Sequence, residues 1–230
     1  MPRQPTVLKN GVSTNEQGLA NWYPYPDPDL FHIIWDDFSK FNPADWDIQA
    51  TGAATQNIVN ARGGLLEMVN TGTLGDEHII QTQARVFDIE DDKRYYMSFS
   101  LTSPDYENQT IICGLSEPGF GVNTSNERFY FGFRPTSSDV NFYAFTGGAG
   151  YVSPVLANPA NGEMIKLAAF LDERKVLSLY VNDRQVEKVD LAALGSPVLP
   201  MAPISGVLYQ RSTGSIERVQ FDNMLIAEER

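Results

Sequence analysis

The chain of 230 residues has one cysteine and two histidines, which removes several kinds of chemistry at once. Cys113 allows no internal disulfide, and its position in the apolar run Ile111–Leu115 favours a buried thiol over a nucleophile. His32 and His78 have no His-x-His spacing and no cysteine near them, so we expect no zinc site. His78 is predicted to be a surface residue at the start of a strand.

Long apolar runs are also missing. None approaches the ~18 residues needed to cross a membrane, and Met1–Pro5 lacks the apolar core of a secretion signal. We therefore expect a cytosol-like compartment and no membrane partner. Basic residues are outnumbered, since 17 Lys and Arg stand against 29 Asp and Glu, for a formal net charge of −12. Such a surface repels phosphate backbones and selects basic partners, so nucleic-acid binding is not expected.

The common motifs of covalent catalysis and phosphate binding are absent. The sequence contains no Gly-x-Ser-x-Gly elbow. Gly147–Gly150 lacks the lysine and the following helix of a phosphate loop. Four aspartates between Asp36 and Asp47 offer the oxygen ligands that calcium prefers. Because Asn42–Asp45 is typical of a turn that uses these side chains itself, we predict no metal site.

Glycoside hydrolysis needs two close carboxylates, and the best candidates lie in Phe87–Asp92. Asp88, Glu90 and Asp92 would share one face of a strand. The segment continues into charged residues typical of a solvated turn, and no aromatic run lies beside it. A glucanase-type hydrolase using Asp88 and Glu90 is therefore the less favoured alternative, and we predict no catalytic residue and no cofactor.

What the sequence does contain is period-two alternation of large apolar and smaller or polar side chains. Arg94–Thr102, Arg128–Arg134 and Lys175–Asn182 show it best. This pattern is typical of strands with one buried face and predicts antiparallel sheets. Turn-forming residues such as Asp172–Lys175 separate the strands. We predict one all-β domain over residues 31–230, a two-sheet sandwich or jelly roll.

Some aromatic side chains fall on the polar faces of these predicted strands. Tyr96, Tyr130 and Tyr180 are examples. They could line a surface that contacts a ligand or another protein. They could also pair across neighbouring strands on an exposed sheet, and for each residue taken singly the sequence favours that second interpretation.

Residues 1–30 do not follow the alternation. Pro24, Pro26 and Pro28 remove backbone donors and hold the chain extended, so the segment cannot be helical. We predict an extended N-terminal arm that either straps onto a partner or folds back over its own domain. Aromatic residues dominate the energetics of protein interfaces. The predicted interface anchors of the arm are Trp22, Tyr23, Tyr25 and Phe31.

Several short motifs also occur in the order found in one known fold. They are Trp35–Phe38, Ala44–Ile48, Gly63–Met68, Arg94–Phe99, Ile112–Leu115, Leu179–Asp183 and Phe221–Ala227. Their order over residues 31–230 resembles the concanavalin A-like, laminin-G-type jelly roll. More narrowly, the chain is similar to a group of tailed-phage proteins encoded beside the major capsid protein. It departs from two branches of this fold, because it lacks the Glu-x-Asp-x-x-Glu strand of the glucanases and a clear calcium set of the legume-lectin kind.

The resemblance implies a capsid decoration (cement) protein on the virion surface, made in the host cytoplasm. Its expected partners are the major capsid protein and neighbouring copies of itself on the capsid. It would work by binding and not as an enzyme. The alternative is a carbohydrate-binding, lectin-like module, displayed on a virion for attachment to a host.

Overall fold

The structure is a computed structural model. It describes residues 7–9, 12–14, 25–26, 29–59, 64–83, 87, 89–90, 92–117, 128–146, 149–194 and 204–230. The strands are β1 (Val7–Lys9), β2 (Val12–Thr14), β3 (Tyr25–Pro26), β4 (Phe31–Asp36), β5 (Trp46–Ala50), β6 (Thr55–Val59), β7 (Leu65–Val69), β8 (Glu77–Thr82), β9 (Tyr95–Thr102), β10 (Gln109–Ser116), β11 (Arg128–Phe133), β12 (Val140–Thr146), β13 (Ala149–Val152), β14 (Ile165–Leu171), β15 (Val176–Val181), β16 (Arg184–Asp190), β17 (Ser205–Ser212) and β18 (Arg218–Glu229). A single 3-10 turn, Pro43–Asp45, precedes β5. Within these ranges no helix has the length and apolar character needed to span a bilayer.

Two antiparallel sheets form the body, as the alternation predicted. The seven-stranded sheet has the order β13-β12-β11-β10-β17-β8-β5. The eight-stranded sheet has the order β16-β15-β14-β9-β18-β7-β6, and β4 pairs with the C-terminal part of β18. Consecutive strands lie in different sheets at several points, which is how the chain closes one sheet over the other.

The core lies between the two sheets and is filled by the predicted apolar positions. From β9 it receives Tyr95, Met97 and Phe99, all at most 2% exposed. From β11 it receives Phe131 among others. Cys113 is also fully buried, as expected, and burial raises the pKa of its thiol, so it stays protonated.

The predicted turns are present where strands reverse. Asn182 and Asp183 join β15 to β16 with φ of 48° and 65°, the left-handed pair required by a two-residue type I′ hairpin. Asp172 follows β14, and its side-chain oxygen Oδ1 accepts from the backbone N–H groups of Arg174 and Val176. These local bonds fix the register of β14, β15 and β16.

The outer face of the eight-stranded sheet departs from expectation. Tyr96 and Tyr180 lie on this face as the alternation predicts, yet they are only 1% and 9% exposed. They pack in one apolar cluster with Phe31 and Leu225. The interpretation of these two tyrosines as part of an exposed sheet is therefore wrong, because β4 brings Phe31 onto the same face.

The N-terminal strands form a separate small antiparallel sheet in the order β1-β2-β3. Trp22 and Tyr23 lie outside the described residues, and of Tyr25 only the backbone in β3 is described. Phe31 is 1% exposed, and the Arg94 guanidinium carbon lies 5.6 Å from its ring centroid. The role of these four aromatic residues as interface anchors stays a prediction.

His78 also differs from the prediction. It was expected at the surface, but it is fully buried on the inner side of β8, so that prediction is wrong. Its Nε2 lies 3.0 Å from Oε1 of Gln56, which belongs to β6 of the opposite sheet. Because this contact joins two different sheets, the local sequence around His78 does not reveal it.

Candidate functional site

The outer face of the seven-stranded sheet carries an aromatic cluster. Tyr130 of β11 and Tyr143 of β12 are direct cross-strand partners. Their ring centroids are 5.1 Å apart with an interplanar angle of 29°, so the rings stack. Ile112 of β10 and Tyr209 of β17 continue the same apolar cluster across the sheet. Tyr130, Ile112 and Tyr209 are buried, at 7%, 4% and 0% exposed, and Tyr143 is half-buried. We call this surface the tyrosine face.

Gly132 forms the floor of a cavity beside these rings. The cavity has a volume of about 200 Å³. A Cβ atom at position 132 would lie 2.9 Å from Cε2 of Tyr143 and 3.2 Å from Cε2 of Tyr130. Any side chain at this position would therefore displace the two rings or fill the space next to them. Glycine keeps the cavity open.

Polar groups line the rim of the cavity. Arg134 is exposed, and its Nε donates a hydrogen bond to the Tyr143 hydroxyl at 3.2 Å. Pro135 follows, and Thr136 has φ of 75°, which is unusual for a β-branched residue. The Thr136 N–H donates to the Glu107 carbonyl at 2.5 Å, which holds this turn in place. The turn fixes Arg134 beside the tyrosines, with its guanidinium reaching water.

A second polar group lies further along the same face. The Tyr209 hydroxyl donates to Glu77 Oε1 at 3.2 Å, and Arg211 Nε lies 3.7 Å from the same oxygen. Burial, together with the negative charge of Glu77, raises the pKa of Tyr209, so its phenol remains a donor. Arg211 is the cross-strand partner of Thr110, which also lines the cavity. The tyrosine face thus has charged hydrogen-bonding groups at its side.

This combination suits a ligand with one apolar face and several hydroxyl groups. The ring of a sugar has C–H groups that pack against an aromatic ring, and its hydroxyls need donors and acceptors fixed at the rim. The cavity is smaller than the roughly 300–1,000 Å³ typical of drug-sized ligands. A single pyranose ring is therefore the chemical class that fits its size.

The sequence located part of this site. Tyr130 was named as a polar-face aromatic residue and lies in it, while Tyr96 and Tyr180 lie on the other sheet. Tyr130 does pair with Tyr143 across the strands, but at 7% exposed it does not lie on an exposed sheet, so that part of the interpretation is wrong for Tyr130 as well. Tyr143 and Arg134 were not identified as candidates. Alternation in Val140–Thr146 places Tyr143 on the outer face, but its pairing with Tyr130 depends on the register across the β11–β12 turn.

The predicted alternatives for catalysis and metal binding lie elsewhere. Glu90 is exposed and forms an ion pair with Lys93 at 3.2 Å, and Asp88 lies outside the described residues. In the part of the chain that the structure describes, no group of three or more His, Cys, Asp or Glu side chains is placed to hold a metal ion.

The two sheets and their order define a lectin-type jelly roll, the concanavalin A-like class. Three solved structures illustrate the likeness. Lectin II from Ulex europaeus is 12% identical, with a TM-score of 0.55 over 88% of this chain and 99% of its own. The carbohydrate recognition domain of Emp46p is 11% identical, with a TM-score of 0.57 over 83% of this chain and 93% of its own.

The third comes from a phage. A carbohydrate esterase from the Shiga toxin-encoding bacteriophage phi24B is 14% identical, with a TM-score of 0.50 over 80% of this chain and 90% of its own. At such identities the likeness establishes the fold alone. No family model and no curated protein matches the sequence.

Proposed function

We propose that this protein is a carbohydrate-binding module and that the tyrosine face is its binding surface. The observation that carries the proposal is the open cavity over Gly132, with two stacked tyrosines on one side and Arg134 at the rim. The neighbours' fold supports it, since two of them are a lectin and a carbohydrate recognition domain. The proposed activity is binding, with no chemical step.

The proposed mode of binding follows from the geometry. One face of a pyranose packs against the ring of Tyr143, and Arg134 donates to its ring or hydroxyl oxygens. Thr110, which is half-buried, and the Glu77–Arg211 pair lie where a second sugar unit would continue along the face. A cavity for one sugar ring binds weakly on its own, so strong attachment would require several copies acting together.

Closing the cavity is expected to abolish this binding. In Gly132→Ala the added methyl group pushes against both tyrosine rings, and in Tyr143→Ala the stacking surface is lost. We expect each variant to lose at least about tenfold in affinity for the best ligand from a glycan array. Isothermal titration calorimetry measures this, with circular dichroism to check folding.

Gly206→Ala is the matched control. Its Cβ would lie 2.9 Å from Cδ1 of Ile226, so it meets similar crowding away from the cavity. It should lose some stability and keep its affinity. Full affinity in Gly132→Ala, or a broad glycan array without a hit on the unmodified protein, would overturn the proposal.

Capsid decoration is the second candidate, and it is compatible with the first on a virion. It rests on the resemblance to tailed-phage proteins. The proposed contact with a neighbouring subunit is made by the N-terminal segment, whose described strands pair in the order β1-β2-β3 and with neither main sheet. In this proposal the partners are the major capsid protein and other copies of this chain, and the location is the virion surface.

Removal of residues 1–28 tests this second candidate. The truncation keeps Leu30, whose carbonyl accepts from the Arg230 N–H. We expect the truncated protein to stay folded and to occupy purified capsids at a clearly lower level than the full chain, because many weak contacts on a lattice reinforce one another. Quantitative mass spectrometry of washed particles measures occupancy. Equal occupancy of both forms would remove the arm from the interaction.

A further inference from the structure

The cavity over Gly132 carries its charge on one side chain, that of Arg134. Among the described residues that line the cavity, Arg134 is the one with a charged group. Its Nε donates to the Tyr143 hydroxyl at 3.2 Å, which fixes the side of the guanidinium next to the ring. A guanidinium has five N–H donors in one plane, so the two terminal nitrogens, Nη1 and Nη2, keep donors for a ligand. The cavity therefore presents an oriented cation beside the stacked tyrosines.

No carboxylate neutralises this cation in the part of the chain that the structure describes. Arg134 forms no ion pair there, although 29 Asp and Glu residues stand against 17 Lys and Arg. The charge of Asp139 acts on Arg134, but Asp139 Oδ1 accepts from Asn158 Nδ2 at 3.0 Å. Arg211, at the side of the same face, has Glu77 Oε1 at 3.7 Å from its Nε. Arg134 differs from Arg211 because a phenol orients it and no acidic side chain pairs with it.

A second arginine lies on the other side of the rings. Arg128 begins β11 two residues before Tyr130, so the two side chains point to the same face of the sheet. Burial raises the pKa of Tyr130, while the charge of Arg128 and its hydrogen bond to the phenol lower it. Each of the two stacked tyrosines thus has an arginine as a polar partner, and the arginines flank the rings along β11.

We propose that the sugar bound by the tyrosine face carries a carboxylate, as a uronic acid does; the proposal rests on the proposed function of this face. A planar carboxylate accepts two parallel hydrogen bonds from the free end of a guanidinium, and these are stronger than bonds to a neutral hydroxyl. In a uronic acid the carboxylate replaces the CH₂OH group of a hexose. The acid therefore adds almost no bulk to a ring that must fit a cavity of about 200 Å³.

The net charge of −12 does not oppose this contact strongly. At physiological ionic strength charges are screened over about 8 Å, so most of the acidic surface acts only weakly on a short oligosaccharide. A long polyanion that touches the rest of the surface is still repelled. The proposed ligand is therefore a short acidic segment that contacts the tyrosine face alone.

Matched pairs of trisaccharides test the proposal in the full chain. Trisaccharides of glucuronic, galacturonic and mannuronic acid are compared with the same molecules after chemical reduction of their carboxyl groups, which keeps linkage and stereochemistry and removes the charge. Binding is followed by the NMR shift of the Gly132 N–H signal. We expect at least one acidic trisaccharide to bind at least about tenfold more tightly than its reduced form.

Two variants separate the contact with Arg134 from the general charge. Arg134→Gln should reduce the preference for the acidic form to about twofold or less, because an amide cannot form the paired charged contact. Arg184→Gln is the matched control, since it removes the same charge from an exposed position in β16 of the other sheet. It should keep the preference within about twofold of that of the unmodified protein.

The outcomes distinguish this proposal from the proposed function. Equal binding of acidic and reduced forms, a preference that survives in Arg134→Gln, or an equal loss in Arg184→Gln would overturn the carboxylate contact and leave sugar binding intact. Neutral glycans that bind when no acidic trisaccharide does would have the same meaning. If neither acidic nor neutral glycans bind the unmodified protein, both proposals are wrong.

Discussion

Replacement of Asn70 by leucine is expected to lower the free energy of unfolding by about 3 kcal/mol. The reason is that the buried carboxylate of Glu217 loses its hydrogen-bond donor, the Asn70 amide. Asn70 and Glu217 are each 2% exposed, at the ends of neighbouring strands β7 and β18. Asn70 Nδ2 donates to Glu217 Oε2 at 2.7 Å, and the Glu217 N–H donates to Asn70 Oδ1 at 3.1 Å. In the variant, of these partners only the Ser215 N–H, 3.1 Å from Oε1, remains for the carboxylate.

Urea denaturation at neutral pH measures this loss, and Asn108→Leu is the control. Asn108 also donates from Nδ2 to a carboxylate oxygen, that of Asp105 at 2.7 Å, but it is exposed. Its replacement should change stability by no more than about 0.5 kcal/mol. The double variant Asn70→Leu/Glu217→Leu should recover part of the loss, because both polar partners are gone together. If Asn70→Leu is as stable as Asn108→Leu, the carboxylate has found water or another donor.

The contrast between these two asparagines shows what the sequence could and could not provide. Alternation in β9, β11 and β15 was enough to predict strands, faces and the core positions Phe99, Phe131 and Leu179. It depends on neighbouring residues alone, so short-range information suffices. Asn70 and Glu217 are 147 residues apart in the chain, and nothing local distinguishes their bond from that of Asn108.

The same reasoning explains the partial prediction of the tyrosine face. Period two places Tyr130 and Tyr143 on outer faces, but their stacking over Gly132 needs the register of the β11–β12 pair. It also explains the error over Tyr96 and Tyr180. Alternation indicates which side of a sheet a residue occupies, and what covers that side is decided by distant segments such as Phe31 in β4.

Acid is expected to destabilise the protein through His78, and removing this histidine should flatten the response. Burial lowers the pKa of His78 from 6.5 to about 4. Gln56 Oε1 is an acceptor, so Nε2 of the neutral His78 ring carries the proton and donates to it. The other ring nitrogen, Nδ1, is buried without a partner among the described residues. A second proton would have to be placed on Nδ1, and no described residue accepts a hydrogen bond from that atom.

The direction of the pH dependence follows from these two pKa values. Between pH 6.5 and 4 the unfolded chain binds a proton at His78 that the folded chain does not. The stabilisation is therefore complete above pH 6.5 and is lost as the pH falls towards 4, by about 3 kcal/mol in total. Carboxylates contribute their own pH dependence, so the informative quantity is the difference between two proteins.

His78→Gln supplies that difference. Glutamine can still donate to Gln56 and does not titrate, so the variant should lose some stability at pH 7.5 and approach the unmodified protein at pH 4.5. His32→Gln, at an exposed position, should follow the unmodified protein throughout. Urea midpoints measured from pH 4.5 to 7.5 provide the comparison. Parallel curves for His78→Gln and the unmodified protein would mean that His78 titrates alike in the folded and unfolded chain, and the buried bridge between β8 and β6 would then have no role in acid sensitivity.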